Sequence, residues 1–362
     1  MYIATKEQLA QEILNYDTGA VVILCAEKGF TFTDIQPILR SAKVPVVGAY
    51  FPGLIAERKL QYSGFIVQHF TCETEVYSFD SKDLDSVSFK AKNIESGTGL
   101  ILMDSFADGN QAFLNRLFYE LGHNFRFIGS GAGSLELVQK PCIFDKDGLY
   151  ENKAIVLLLH TKVSIGLKHG YDRIAGPFVA TNTSDSKIFE LNWENAFDCY
   201  SDIVNSDSDV PVTKEDFFAV SKGYPLGISR KGHEDIVRDP ISVDNQGNLY
   251  CIDDVPENAA LYVLKGDADK LINAAKASCN EAIDGSRGNI QNCLLIDCVS
   301  RVLYLGDDFD KEIKEACDTL MSKHPDMHVE GLLSLGEIST FKDGSLSLYN
   351  KTFLTTLLYN EG

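Results

Sequence analysis

Three separate stretches of this chain run through the same order of parts: an apolar strand, a loop, an amphipathic helix, and a second strand ending in glycine. The first goes from AVVILCAE through TDIQPILRSA to VPVVGAYFPG, and the second from GLILMDSF through NQAFLNRLFYELG to FRFIGSGAGS. The third goes from NCLLIDCV through DKEIKEACDTLM to VEGLLSLGEI. Their helices carry apolar residues at three-and-four spacing, as in Phe113, Leu117 and Leu121, or Ile313, Ala316, Cys317, Leu320 and Met321. A strand, a covering helix and a second strand cannot close as a tight hairpin, so each stretch predicts a βαβ unit with a parallel pair. The fold class is therefore α/β. Alternating stretches such as YSGFIVQHF and CETEVYSF read as half-exposed antiparallel strands, which makes the expected sheets mixed.

A change of texture near residue 180, followed by the polar stretch NSDSDVPVTKED, divides the chain into halves 1–205 and 206–362. In the second half, DPISVDNQGNLYCIDDVPENAALYVLKGD reads as short strands joined by turns, an antiparallel meander. The helix ADKLINAAKASCNEAI precedes the third βαβ unit, and FKDGSLSLYNKTFLTTLL closes the chain as a hairpin-like segment.

Charge narrows the partners. The 52 acidic residues outweigh 33 basic ones and give a dispersed net charge of -19, a surface that repels nucleic-acid phosphates and anionic lipid. No basic stripe interleaved with aromatics offsets it. The N-terminus lacks a charged-then-apolar leader, and apolar runs such as AIVLLLH fall far short of the roughly 20 residues needed to span a bilayer. A cytoplasmic protein is expected. Nine scattered cysteines fit a reducing compartment, and neither paired zinc ligands nor a Cys-x-x-Cys-His haem attachment is present.

The most glycine-dense segment, Gly129, Ser130, Gly131, Ala132, Gly133 and Ser134, follows a strand. It suits either backbone amides cradling an anion or a tight turn packed on a helix; it matches neither the dinucleotide nor the P-loop pattern. Arg301, after the buried-looking LLIDCVS, offers a fork for a ligand carboxylate or for an internal acid, with Glu337 the expected partner. Asn350 is a further polar residue at a strand end. Seven histidines occur singly, and His169 is distinguished by Gly170 and Tyr171, a turn and an aromatic flank that would leave its imidazole facing a cavity. The plainer reading is a histidine satisfied by backbone carbonyls. Cys298 has no nearby histidine to act as its base and no Gly-x-Ser-x-Gly elbow exists, so catalysis is not expected.

Taken in order, these segments resemble the FIST family over nearly the whole chain. VPVVGAYFPGLI and FIGSGAGSL, the latter similar to the family's Gly-Gly-Gly-Ala-Gly turn, suggest its N-terminal part, as does LKHGYDRIAGPFVATNTSDSKIFELNWENAFDCY. GYPLGI, VRDPISVDNQGNLYCIDDVPENAALYV, DCVSR, GLLSLGEI and YNKT suggest the C-terminal part. The chain departs from the pattern at Ser130, Ser134, Ser300 and Tyr349, where glycine, an acid, glycine and histidine are usual. The resemblance implies a sensory module that binds a small ligand, an amino acid or related metabolite, and signals through a separate output protein such as a histidine kinase. Residues expected to touch the ligand are Gly129, Ser130, Gly131, Gly133, Ser134, His169, Arg301, Glu337 and Asn350. No resident cofactor or metal is required. Some relatives bind haem and sense nitric oxide, and in that alternative His169 would be the iron ligand.

Overall fold

A computed structural model of the chain describes residues 1–89, 92–340 and 344–360. Each of the three repeated stretches is a βαβ unit with a parallel pair. Ala20–Ala26 pairs with Val46–Phe51, Gly97–Asp104 with Phe125–Ala132, and Asn289–Cys298 with Gly331–Ser334. The covering helices are Phe32–Arg40, Asn110–Leu121 and Phe309–Lys323, the last preceded by a short helix, Val299–Leu305. Among the described residues every other strand pairing is antiparallel.

Among the described residues each unit sits at the centre of its own six-stranded sheet, and the three sheets share one plan. Beside the first strand of the unit lies an antiparallel strand (Phe65–Phe70, Lys153–Leu159 or Phe353–Asn360), with one more antiparallel strand at the edge beyond it. Beside the second strand lies a hairpin, and that hairpin always comes from another unit. The hairpin after the first unit, Leu54–Ala56 with Lys59–Gln61, joins the third sheet. The one after the second unit, Ile143–Asp145 with Leu149–Tyr150, joins the first sheet. The one after the third unit, Glu337–Thr340 with Leu346–Tyr349, joins the second. The sheets exchange hairpins in a ring.

Side-chain alternation explains the packing. On each first strand, even-numbered residues (Val22 and Leu24, Leu100 and Leu102, Leu294 and Ile296) point into one core common to all three sheets. Odd-numbered residues point outward under helices: Val21 and Ile23 beneath Leu9 and Ile35, Ile101 and Met103 beneath Phe113 and Leu117, Cys293 and Leu295 beneath Ala275 and Ile313. A strand buried on both faces reads as a continuous apolar run, as these do. Phe65–Phe70 is likewise mostly buried, whereas Thr74–Asp80, at a sheet edge, is half-exposed as its alternation predicts.

A fourth sheet of eight strands is built within residues 172–265, around the long bulged strand Asp172–Ser184. The closing segment departs from the hairpin expectation. Phe341, Lys342 and Asp343 lie outside the described residues; Leu346–Tyr349 stays in the second sheet while Phe353–Asn360 enters the third. Lys351, with φ of 58°, turns the chain between them. The two strands pair in different sheets rather than with each other.

Candidate ligand-binding site

The residues picked out from sequence converge on that turn. Arg301 has no exposed surface. Its Nη1 donates to the carbonyls of His169 (2.6 Å) and Lys351 (3.1 Å), and its Nη2 to the carbonyl of Leu271 (2.9 Å) and to Glu312. Asp297 lies 3.4 Å from its Nε. Asn350 donates to Asp253 at 2.6 Å. The amide and hydroxyl of Thr352 donate to Glu337 at 3.1 and 2.7 Å. Glu337 stands opposite Ser130 across the strand pair, and Ser130 donates to Ser334 at 2.8 Å.

The expected ion pair between Arg301 and Glu337 is not what forms. Arg301 takes Glu312 and Asp297, and Glu337 accepts through Oε2 from Thr352 instead. Both residues grip the same turn from different directions. Glu312 escaped the sequence reading although it falls on the buried stripe of its helix, three after Phe309 and one before Ile313. An acid in that position must find a buried cation. Lys351 was missed too: with no exposed surface, it pairs with Asp239 at 2.9 Å and donates to the Lys222 carbonyl at 3.0 Å.

Four fully buried carboxyls therefore surround two fully buried cations. Burial opposes the charge on Arg301 and Lys351, but Glu312 and Asp297 outweigh it for the first and Asp239 for the second, so both stay protonated. Burial, reinforced by the adjacent Glu312, raises Asp297 well above the usual carboxylate range. Glu337, also desolvated, is pushed up to about 8.

The glycine segment is neither loop nor turn at its start: Gly129 to Ala132 continue the strand. The Gly131 amide donates to the Gly336 carbonyl at 2.8 Å and that of Gly133 to the Tyr50 carbonyl at 2.9 Å, so these donors serve the joint between sheets rather than an anion. Glycine is required at 129 because a Cβ would lie 2.2 Å from the Ile101 carbonyl oxygen. The Ser134 hydroxyl is buried without a partner among the described residues.

His169 does not face a cavity freely. Its Nδ1 accepts from the Tyr171 amide at 2.9 Å, which puts the ring proton on Nε2, 3.0 Å from Glu234. An axial iron ligand needs one imidazole nitrogen open, and here both are engaged, so His169 does not fit haem. Among the described residues no group of three or more His, Cys, Asp or Glu is arranged to hold a metal ion.

None of the nine residues expected to touch ligand lines the cleft that lies beside them. This cavity, about 560 Å³, opens between the second sheet (Arg126, Ser339, Thr340, Tyr349), the edge strand Lys162–Lys168, and the loop 229–234 carried by the fourth sheet. Its lining holds five cations, Arg126, Lys168, Arg173, Arg230 and Lys231, against two carboxylates, Glu234 and Glu281. Lys168 bridges both acids at 3.2 and 3.7 Å. Burial alone would raise Glu234, but its bonds from His169 and Lys168 hold it down at about 2. Arg173 is fixed by Asp235 (Nε to Oδ2, 2.7 Å) and lies 3.8 Å from the centre of the Tyr262 ring. The Glu234 bond to His169, whose carbonyl receives Arg301, ties the cleft wall to the buried network.

Two family models match, the FIST N domain over residues 20–194 and the FIST C domain over residues 196–340. No match to a curated protein was found. Among the described residues no helix is long and apolar enough to cross a membrane.

Proposed function

This chain belongs to the FIST family, whose domains are sensory domains of signalling proteins, and on that premise we propose that it senses a small ligand held in the cleft. The observation that carries the reading is where the cleft lies. Its wall is drawn from both sides of residue 205, with Arg126, Leu167 and Lys168 on one side and Arg230, Glu234, Ser339 and Tyr349 on the other. A ligand there touches three sheets at once, the position in which occupancy can bias their arrangement. Gly129, Ser130, Arg301, Glu337 and Asn350 act beneath it as the rigid support. The ligand is an amino acid or related metabolite, the setting cytoplasmic, and the output a separate protein such as a histidine kinase.

The chain carries out no reaction of its own in this reading. Cys298 is 3% exposed and burial pushes its thiol well above the usual range, which disfavours the thiolate a nucleophile needs. The haem alternative has no open imidazole at His169 to support it. A thermal-shift screen of amino acids and organic acids tests the proposal, since a ligand at 100 times its Kd stabilises by about 2.7 kcal/mol. Ligand-free protein that responds to no compound would sink it.

A further inference from the structure

We infer that the cleft takes a small dianion, two negative charges on oxygen atoms joined by a short carbon skeleton, in preference to a zwitterionic or neutral molecule. The inference rests on the cleft being the sensory site.

The first ground is the sign of the charge. The chain carries a net -19, yet the lining of this one cavity is predominantly cationic. Its carboxylates are already matched, Glu234 by His169 and Lys168 and Glu281 by Lys168. Asp235 likewise neutralises Arg173. Arg126 and Lys231 have no acidic partner among the described residues, and they stand in different parts of the wall, on the second sheet and on the 229–234 loop. Walls of low dielectric focus such a field into the cavity and concentrate anions there.

The second ground is independent of charge. Ser339 lines the cleft, is 1% exposed, and its hydroxyl has no hydrogen-bond partner among the described residues. A buried hydroxyl left unpaired destabilises the protein that holds it. Strand alternation sends the neighbouring Ile338 into the opposite, apolar core, so Ser339 belongs to the cleft face. An anionic oxygen is the acceptor that would satisfy this donor most strongly. Ile165 and Leu167 add a short apolar surface to the same lining, which suits a few carbon atoms.

Calorimetric titration of the full chain with succinate, glycerol 3-phosphate, leucine and glycerol tests this and separates a dicarboxylate from a phosphate monoester. At least one of the two dianions should bind, more weakly as salt is raised. The surface changes Arg126→Glu and Lys231→Glu should each raise its Kd at least about tenfold, about 1.4 kcal/mol. Ser339→Ala should also weaken binding while leaving the Tm of the free protein unchanged or higher, an outcome that a purely structural serine would not give. Dianion binding indifferent to Arg126→Glu and Lys231→Glu overturns the inference. So does binding of leucine alone, which would leave the sensory reading standing if Ser339→Ala weakened it. If none of the four compounds binds, the dianion inference falls, and the sensory reading is decided by the wider thermal-shift screen.

Discussion

Lys351 is a cation with no exposed surface, held 2.9 Å from Asp239 on a backbone turn that no glycine eases. Removing one member of such a pair strands the other charge, which costs far more than the pair contributes. Lys351→Met should therefore lower stability by about 3–5 kcal/mol, and Lys351→Met with Asp239→Asn should recover most of it. Urea unfolding of the two variants checks this; equal losses would mean that the turn geometry, not the charge, matters. Glu337 makes a second prediction, in pH. Its folded carboxyl, pushed up to about 8 from an ordinary 4.5, keeps a proton that the unfolded chain has released. Its contribution is thus full in acid and falls as pH rises between those values, with a limiting slope of ~1.4 kcal/mol per pH unit. Glu337→Gln should flatten the dependence over that window, and urea midpoints that track the wild type throughout would refute the assignment.

The three βαβ units were legible because each strand is one apolar run and each helix keeps its spacing, both of them local signals. The hairpins were not, since strands as short as Leu54–Ala56 carry no period of their own and their partners lie between 94 and 278 residues away. The site divides the same way. Arg301 and Glu337 stood out as charges beside apolar strands, and Glu312 could have been found as the one acid on a buried helical stripe. The cleft could not, because its cations come from a strand start, an edge strand and a loop that only the folded chain brings together. Gly129 tests the joint between these elements. Gly129→Ala would drive a methyl into the Ile101 carbonyl oxygen and should cost about 1–3 kcal/mol. Gly223→Ala, whose methyl would meet only Tyr304 at 3.4 Å and the Val220 carbonyl at 3.5 Å, should stay within about 0.5 kcal/mol. Thermal unfolding of the two distinguishes a packed joint from an ordinary turn.

At the scale of the molecule, the exchange of hairpins and strands leaves only the first of the described sheets complete within one half of the sequence. Residues 1–205 lack the Glu337–Tyr349 strands of the second sheet, and residues 206–362 lack two pieces of the third, Leu54–Gln61 and Lys162–Lys168. Residues 206–362 expressed alone, with no complete sheet, should give the poor NMR dispersion of an incompletely packed chain, and adding residues 1–205 should restore the spectrum of the whole; a well-dispersed spectrum from 206–362 alone would contradict the exchange. The ring also sets an order in time. Ile55 pairs with Gly331, 276 residues later, and a ribosome adding 5–20 residues per second needs roughly 14–55 s to make that stretch. Throughout that interval the first hairpin exists without the strand it will lie against, its edge open to any other chain nearby. Slowing or speeding translation across the middle of the message therefore changes how long a sticky edge is on display, and with it the share of newly made chains that need a chaperone to reach the native ring.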